Sequence, residues 1–225
     1  MRFVLAPSPL LGPASWDATA RALAERGYDV AVARPPALLE IGTDYYPALA
    51  DALARACDGR AVLVAHSGAG AVAPSAVKAA AGRLGAVVFV DAILPHPGRS
   101  WFDTAPPQLR AQLEAGAQQG LLPAWDGWWP PGALERLVPD EAARAAVIAE
   151  LEPLPMAYFE EAAPLDELDA PAAYLQLSGA YEEEARRAIR LGWPVVRLPL
   201  NHLATVTQGP AVAGAIETLA GKLAA

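Results

Sequence analysis

The sequence predicts an α/β domain, a mostly parallel central sheet flanked by helices, with a helical cap inserted into it. Three observations predict this. Short apolar runs alternate with amphipathic helical patterns through the first 94 residues. The runs are apolar without interruption, as at Ala61, Val62, Leu63, Val64 and Ala65, which suits strands buried on both faces of a parallel sheet. From Pro95 to Asp169 the alternation stops: that stretch is rich in proline, holds four of the six tryptophans and shows helical patterns but no strand signal. Residues 1–94 and 170–225 therefore read as one core, and residues 95–169 as its helical cap or lid.

Each element has its own signal. Residues 2–6 form a first strand, and the proline-rich Pro7–Pro13 stretch a loop. Ser15 suits the N-cap of a helix through Arg26, with Trp16, Ala20, Leu23 and Ala24 on one face and Gly27 as its stop. Residues 29–33 form a strand ended by Pro35 and Pro36. Thr43 or Asp44 caps a helix to Ala56 that carries the stripe Tyr45, Leu49, Leu53. The run 61–65 is a strand, followed by a helix to about Lys78 that Pro74 kinks or delays. Residues 85–91 are the next strand. Within the insertion, helical patterns cover 108–118, 134–138 and 140–151. Strands at 172–178 and 195–200 flank a helix over 182–191, and a last helix runs from Pro210 to Leu223.

Bulk properties narrow the function. The 225 residues fit one domain, and 54% hydrophobic content allows a large core. A net charge of −8 argues against nucleic acid or an anionic membrane as partner, since both need a positive face. One cysteine, Cys57, excludes an internal disulfide and a cysteine-rich metal site and reads as a small apolar residue at a helix end. No apolar run approaches the roughly 20 residues of a membrane span. The run after Met1 and Arg2 is broken by Pro7 and Pro9, so a soluble cytoplasmic protein is expected. No cofactor is implied, and a homodimer is one option for the oligomeric state.

The chemistry concentrates at Ala65-His66-Ser67-Gly68-Ala69. A strand that ends in x-Ser-x-small and turns at once into a helix is a nucleophile elbow, which lifts the hydroxyl above the sheet edge. The usual pattern is G-x-S-x-G; here alanine replaces both glycines. A rival reading takes Gly68-Ala69-Gly70-Ala71-Val72-Ala73 as a dinucleotide-binding turn, with Asp91 for a ribose hydroxyl. That motif follows the third strand rather than the first, and it leaves His202 without a role.

A serine needs a base, and the base an orienting acid. Of the three histidines, His66 adjoins Ser67 and should point elsewhere across the turn. His96 lies between Pro95 and Pro97. His202 follows the last strand, at the edge where open α/β sheets gather their reactive groups, and is the base candidate. Grouped as metal ligands, the three show no recognised spacing. Asp91, ending the strand beside the elbow strand, is the favoured acid; Glu182, in the loop after the 172–178 strand, is the alternative.

On the Ala65–Gly70 elbow, the Ala14-Ser15-Trp16 helix entry, the run Phe89–Pro95 and the run Asn201–Thr207, the chain resembles the α/β-hydrolase fold superfamily over nearly its whole length. An acid after the strand that follows the elbow resembles the thioesterases of polyketide and peptide synthases; the rest resembles small bacterial esterases. The resemblance implies a serine hydrolase of esters or thioesters, with Ser67, His202 and Asp91 as a triad and the N–H groups of Gly68 and Leu10 as the oxyanion hole. Members carry an HG-x motif after the first strand. Here Pro7-Ser8-Pro9-Leu10 stands there, and Pro9 has no N–H to give. A missing donor costs on the order of 10²–10³ in kcat. The alternative on the same fold is a cyclase or lyase of small-molecule biosynthesis. Trp101, Trp125, Trp128 and Trp129 in the cap imply a pocket for a hydrophobic acyl or polycyclic substrate, their bland reading being the cap's own core.

Overall fold

A computed structural model describes residues 1–224. In chain order the core begins with β1 (Arg2–Ala6), α1 (Asp17–Glu25), β2 (Asp29–Val32), α2 (Leu38–Ile41), α3 (Tyr45–Arg55), β3 (Ala61–His66), α4 (Ala69–Ala79) and β4 (Leu84–Val90). The insertion contributes α5 (Trp101–Thr104), α6 (Pro107–Gly116), β5 (Leu121–Leu122), α7 (Ala133–Leu137), α8 (Glu141–Ile148), β6 (Leu154–Pro155) and α9 (Met156–Glu160). The core then resumes with β7 (Ala172–Gln176), α10 (Glu182–Arg190), β8 (Val195–Arg197), α11 (Ala204–Thr207) and α12 (Gly209–Leu223).

Six strands form one sheet in the order β2-β1-β3-β4-β7-β8, every neighbouring pair parallel. Both faces of this sheet are covered at its centre, which is why β3 and β4 are almost continuously apolar, while the edge strands β2 and β8 carry the exposed Asp29 and Arg197. Successive side chains still alternate: Phe3, Leu5, Val62, Val64, Val88 and Val90 pack toward α1 and α12. Val4, Leu63, Ala65, Val87 and Phe89 pack on the other side, where α3 and α4 lie. Among the described residues no helix is long and apolar enough to cross a membrane.

Four local expectations are corrected. Ser15 does not cap α1: it lies in a 3₁₀ turn, Pro13–Trp16, and its hydroxyl donates to the Gly12 carbonyl. Neither Thr43 nor Asp44 caps α3 with its side chain. Asp44 has φ 55°, and the N–H groups of Tyr45 and Tyr46, in the first turn of the helix, donate instead to the Glu161 carboxylate, at 3.1 Å each, so a residue of the insertion caps a core helix. The insertion does contain strands, β5 pairing antiparallel with β6. Two residues each are too few to show a period of two in sequence. Finally, β7 stops at Gln176, short of the predicted 178, because the next two N–H groups, of Leu177 and Ser178, turn to the Asp91 carboxylate.

Candidate active site

Ser67 follows β3 directly with φ 54°, the left-handed region an L-residue enters only under strain. Its N–H donates to the Val90 carbonyl at 3.3 Å, and its own carbonyl accepts from Gly70 and Ile93, each at 3.2 Å. The bend therefore closes with alanine on both flanks. Gly70 is the position that tolerates nothing larger, since a methyl group there would lie 2.1 Å from the Ile93 carbonyl oxygen. Asp91, one residue past β4, has the same kind of backbone, φ 43°. Both polar groups thus stand at the carboxyl ends of adjacent parallel strands.

His202 reaches them from the loop before α11. Its Nδ1 lies 2.9 Å from Asp91 Oδ2 and its Nε2 lies 3.2 Å from Ser67 Oγ. A carboxylate accepts only, so Nδ1 carries the hydrogen and Nε2 is left free to accept the serine proton. Asp91 is fully buried. Burial alone would raise its pKa, but the hydrogen bond and charge of His202, with bonds from Ser178 and Leu177, hold it below the usual carboxylate range. Its Oδ1 accepts the Leu177 and Ser178 N–H groups at 2.8 and 3.0 Å, and its Oδ2 the Ser178 hydroxyl at 2.6 Å. Tyr174 secures the bend from below, donating to the Ala92 carbonyl and accepting its N–H.

Glu182 does not face the histidine: its carboxylate accepts from Gln176, Arg186 and Arg197. The dinucleotide reading also fails, because the carboxylate it assigns to a ribose is sealed in the core. His96 is apart from the other two histidines, with its Nδ1 on the Arg99 carbonyl and its ring against Tyr46.

Two further rings, of His66 and Tyr181, flank His202. The His66 ring stacks under it at 4.6 Å and donates from Nε2 to the His202 carbonyl at 3.0 Å. Burial, and the adjacent His202, depress the His66 pKa to about 3, so it is neutral and fixed in tautomer. Tyr181 covers the opposite face of His202, ring centroids 5.0 Å apart and nearly parallel at 9°, with its hydroxyl 3.3 Å from Ser67 Oγ. Burial raises the Tyr181 pKa, so the phenol is neutral. The only sequence signal for Tyr181 is its place just beyond a strand's carboxyl end.

The oxyanion expectation divides. No partner within the protein takes the Gly68 N–H among the described residues, but the Leu10 N–H donates to Ser8 Oγ at 3.3 Å. The four tryptophans divide too. Trp101 and Trp128 pack with Phe102 and Phe159 into the cap's own core, Trp129 is 40% exposed, and Trp125 alone brings its ring near His202, at 6.2 Å. A cavity of about 270 Å³ opens beside the same loop, lined by Pro9, Leu10, Leu11, Pro35, Leu38 and Leu154 among others; Ser67 and His202 do not line it.

No family model and no curated protein matches the sequence. Solved structures do. An extracellular α/β-hydrolase from a Paenibacillus species, described as sharing structural and functional homology with tobacco salicylic acid binding protein 2, aligns with TM-score 0.75 at 22% identity, over 97% of this chain and 98% of that one. A pyrethroid hydrolase from Sphingobium faniae aligns with TM-score 0.75 at 18% identity, over 98% and 97%. Tomato methylketone synthase I, complexed with 2-tridecanone, aligns with TM-score 0.69 at 15% identity, over 99% and 98%. The chain has the α/β-hydrolase fold, over its full length.

Proposed function

We propose that the protein is a serine hydrolase acting on an ester or thioester of a hydrophobic small molecule. The observation that carries this reading is the unbroken relay from Ser67 Oγ through His202 to Asp91, at 3.2 and 2.9 Å. Ser67 attacks the acyl carbon while His202 Nε2 takes its proton, and the imidazolium gives that proton to the departing alcohol or thiol. Water then cleaves the acyl-enzyme by the same route in reverse. Asp91 holds the tautomer and stabilises the imidazolium without itself being protonated, consistent with its lowered pKa. The rings of His66 and Tyr181 clamp His202 in plane and restrict its swing.

The approach of the Trp125 ring to His202, at 6.2 Å, supports a hydrophobic substrate. Treating the protein with a fluorophosphonate tests the reading. Covalent labelling of Ser67, lost in Ser67→Ala and His202→Ala, is the expected outcome. Folded protein that stays unlabelled, with turnover of its substrate unaffected in Ser67→Ala, rules the nucleophile out.

One observation favours a second reading, a cyclase or lyase on this fold. Pro9 stands where a second main-chain donor is expected, and a site without it stabilises a tetrahedral oxyanion poorly. In that case Ser67 serves as a hydrogen-bond donor and His202 as an acid–base group.

A further inference from the structure

Gly68 has an unusual set of neighbours. A methyl group on it would lie 3.2 Å from Ser8 Oγ, 3.3 Å from Pro9 Cδ and 3.8 Å from the Tyr158 hydroxyl. Two hydroxyls thus converge on the residue whose N–H is the intact half of the oxyanion site. Both belong to buried residues, Ser8 at 0% and Tyr158 at 1% exposure. Ser8 accepts the Leu10 N–H, which fixes and polarises its hydroxyl, and among the described residues nothing in the protein accepts its hydrogen. Burial raises the Tyr158 pKa, so that group too keeps its hydrogen.

We propose that the Ser8 hydroxyl, with the Tyr158 hydroxyl beside it, takes the place of the donor Pro9 lacks and holds the oxyanion together with the Gly68 N–H. The proposal rests on Ser67 being the nucleophile. When Ser67 Oγ bonds to the acyl carbon, the carbonyl π pair moves onto oxygen and the serine proton passes to His202. The resulting oxyanion accepts hydrogen bonds from Gly68, Ser8 and Tyr158. On collapse the pair returns to the carbonyl, the alkoxide or thiolate leaves with the His202 proton, and both hydroxyls end unchanged. Leu10 acts one step back, by orienting Ser8. The same arrangement accounts for glycine at 68, where a side chain would crowd Ser8 and Pro9.

The test compares Ser8→Ala, Tyr158→Phe and Ser8→Ala/Pro9→Ala with the parent, using p-nitrophenyl butyrate turnover and fluorophosphonate labelling. Ser8→Ala is expected to lower kcat about 100-fold with KM within about threefold, the size of a lost oxyanion donor. Tyr158→Phe is expected to lower kcat about tenfold. Adding Pro9→Ala to Ser8→Ala restores a main-chain N–H, and about tenfold recovery is expected, which a purely structural role for Ser8 would not give. If Ser8→Ala does not fold, Ser8→Thr, which keeps the hydroxyl, is compared with Ser8→Cys; activity retained in the first and lost in the second supports the assignment. Parent protein that labels at Ser67 while Ser8→Ala, or both Ser8→Thr and Ser8→Cys, stays within threefold of it overturns the oxyanion assignment alone. Parent protein that neither labels nor turns over ester overturns the nucleophile reading, and this proposal with it.

Discussion

Ser67 and Asp91 make an instructive pair. They follow adjacent parallel strands, both adopt left-handed backbone, at φ 54° and 43°, and both meet the same imidazole. Their surroundings are opposite. Asp91 is fully buried and accepts three further hydrogen bonds, the longest 3.0 Å. Among the described residues Ser67 Oγ has hydrogen-bond contacts with His202 and Tyr181 alone, at 3.2 and 3.3 Å. One end is an anchor built into the fold; the other is held loosely, as the proposed nucleophile would need to be. Strained backbone serves both, and the hydrogen-bond count separates their roles.

The largest effects should set the two apart. Ser67→Ala is expected to reduce ester turnover by on the order of 10⁴–10⁶, with stability within about 1 kcal/mol of the parent, since it removes only two long hydrogen bonds. Asp91→Ala should lower turnover by about 10⁴. It should also cost about 3 kcal/mol, because the Leu177 and Ser178 donors are left buried without an acceptor, and thermal melting should fall by roughly 6–12 °C. Equal melting temperatures for the two variants would remove the distinction between anchor and reactant.

Acid titration should separate the buried acid Asp91 from its neighbour His66 as two windows. Unfolded His66 binds a proton near pH 6.5 and folded His66 only near 3, so the unfolded state holds more protons in between. Stability should then fall by about 1.4 kcal/mol per pH unit below 6.5 from this group alone. Asp91, with its lowered folded pKa, contributes stability above about pH 4 that is lost only as the pH drops further. Denaturant melts from pH 7 to 2.5 on the parent and His66→Gln check this: the variant should lose the upper window and keep the lower.

Gly70→Ala sharpens the comparison from the backbone. Its methyl group would meet the Ile93 carbonyl at 2.1 Å, between the two strand ends. About 1–3 kcal/mol of destabilisation is expected, with Ser67 and Asp91 displaced together and kcat reduced, measurable by melting and turnover in one preparation. The smallest effect belongs to Tyr181→Phe, which keeps the ring on His202 and loses the contact with Ser67 Oγ. A change in kcat of no more than about tenfold is expected, and a larger loss would place the phenol among the reacting groups.

Much of this was legible in the chain itself. Continuous apolar runs marked the central strands β1, β3 and β4, whose burial on both faces leaves little room for a polar position. The short piece Ala65–Ala69 and three histidines were enough to single out Ser67, His202 and Asp91 as partners, the acid with Glu182 as its alternative. The insertion was far less legible. Its helices α5, α7 and α9 are four or five residues long, its two strands two residues each, and helices that short carry no usable period. Trp125 and Trp129 look alike in sequence, yet one is buried near His202 and the other 40% exposed.

What the sequence determined by itself is whatever has a local period or a local shape: the alternation of strands and helices, the tight turn at Ser67, and the missing N–H at Pro9. Only the tertiary structure decided which distant groups fill the gaps those features leave. Glu161 caps α3 from more than a hundred residues away, His66 and Tyr181 close on His202 from opposite faces, and Ser8 and Tyr158 meet at Gly68. The reason is physical: hydrogen bonds and ring stacking depend on distances of a few ångströms, and separation along the chain says nothing about those until the chain has packed.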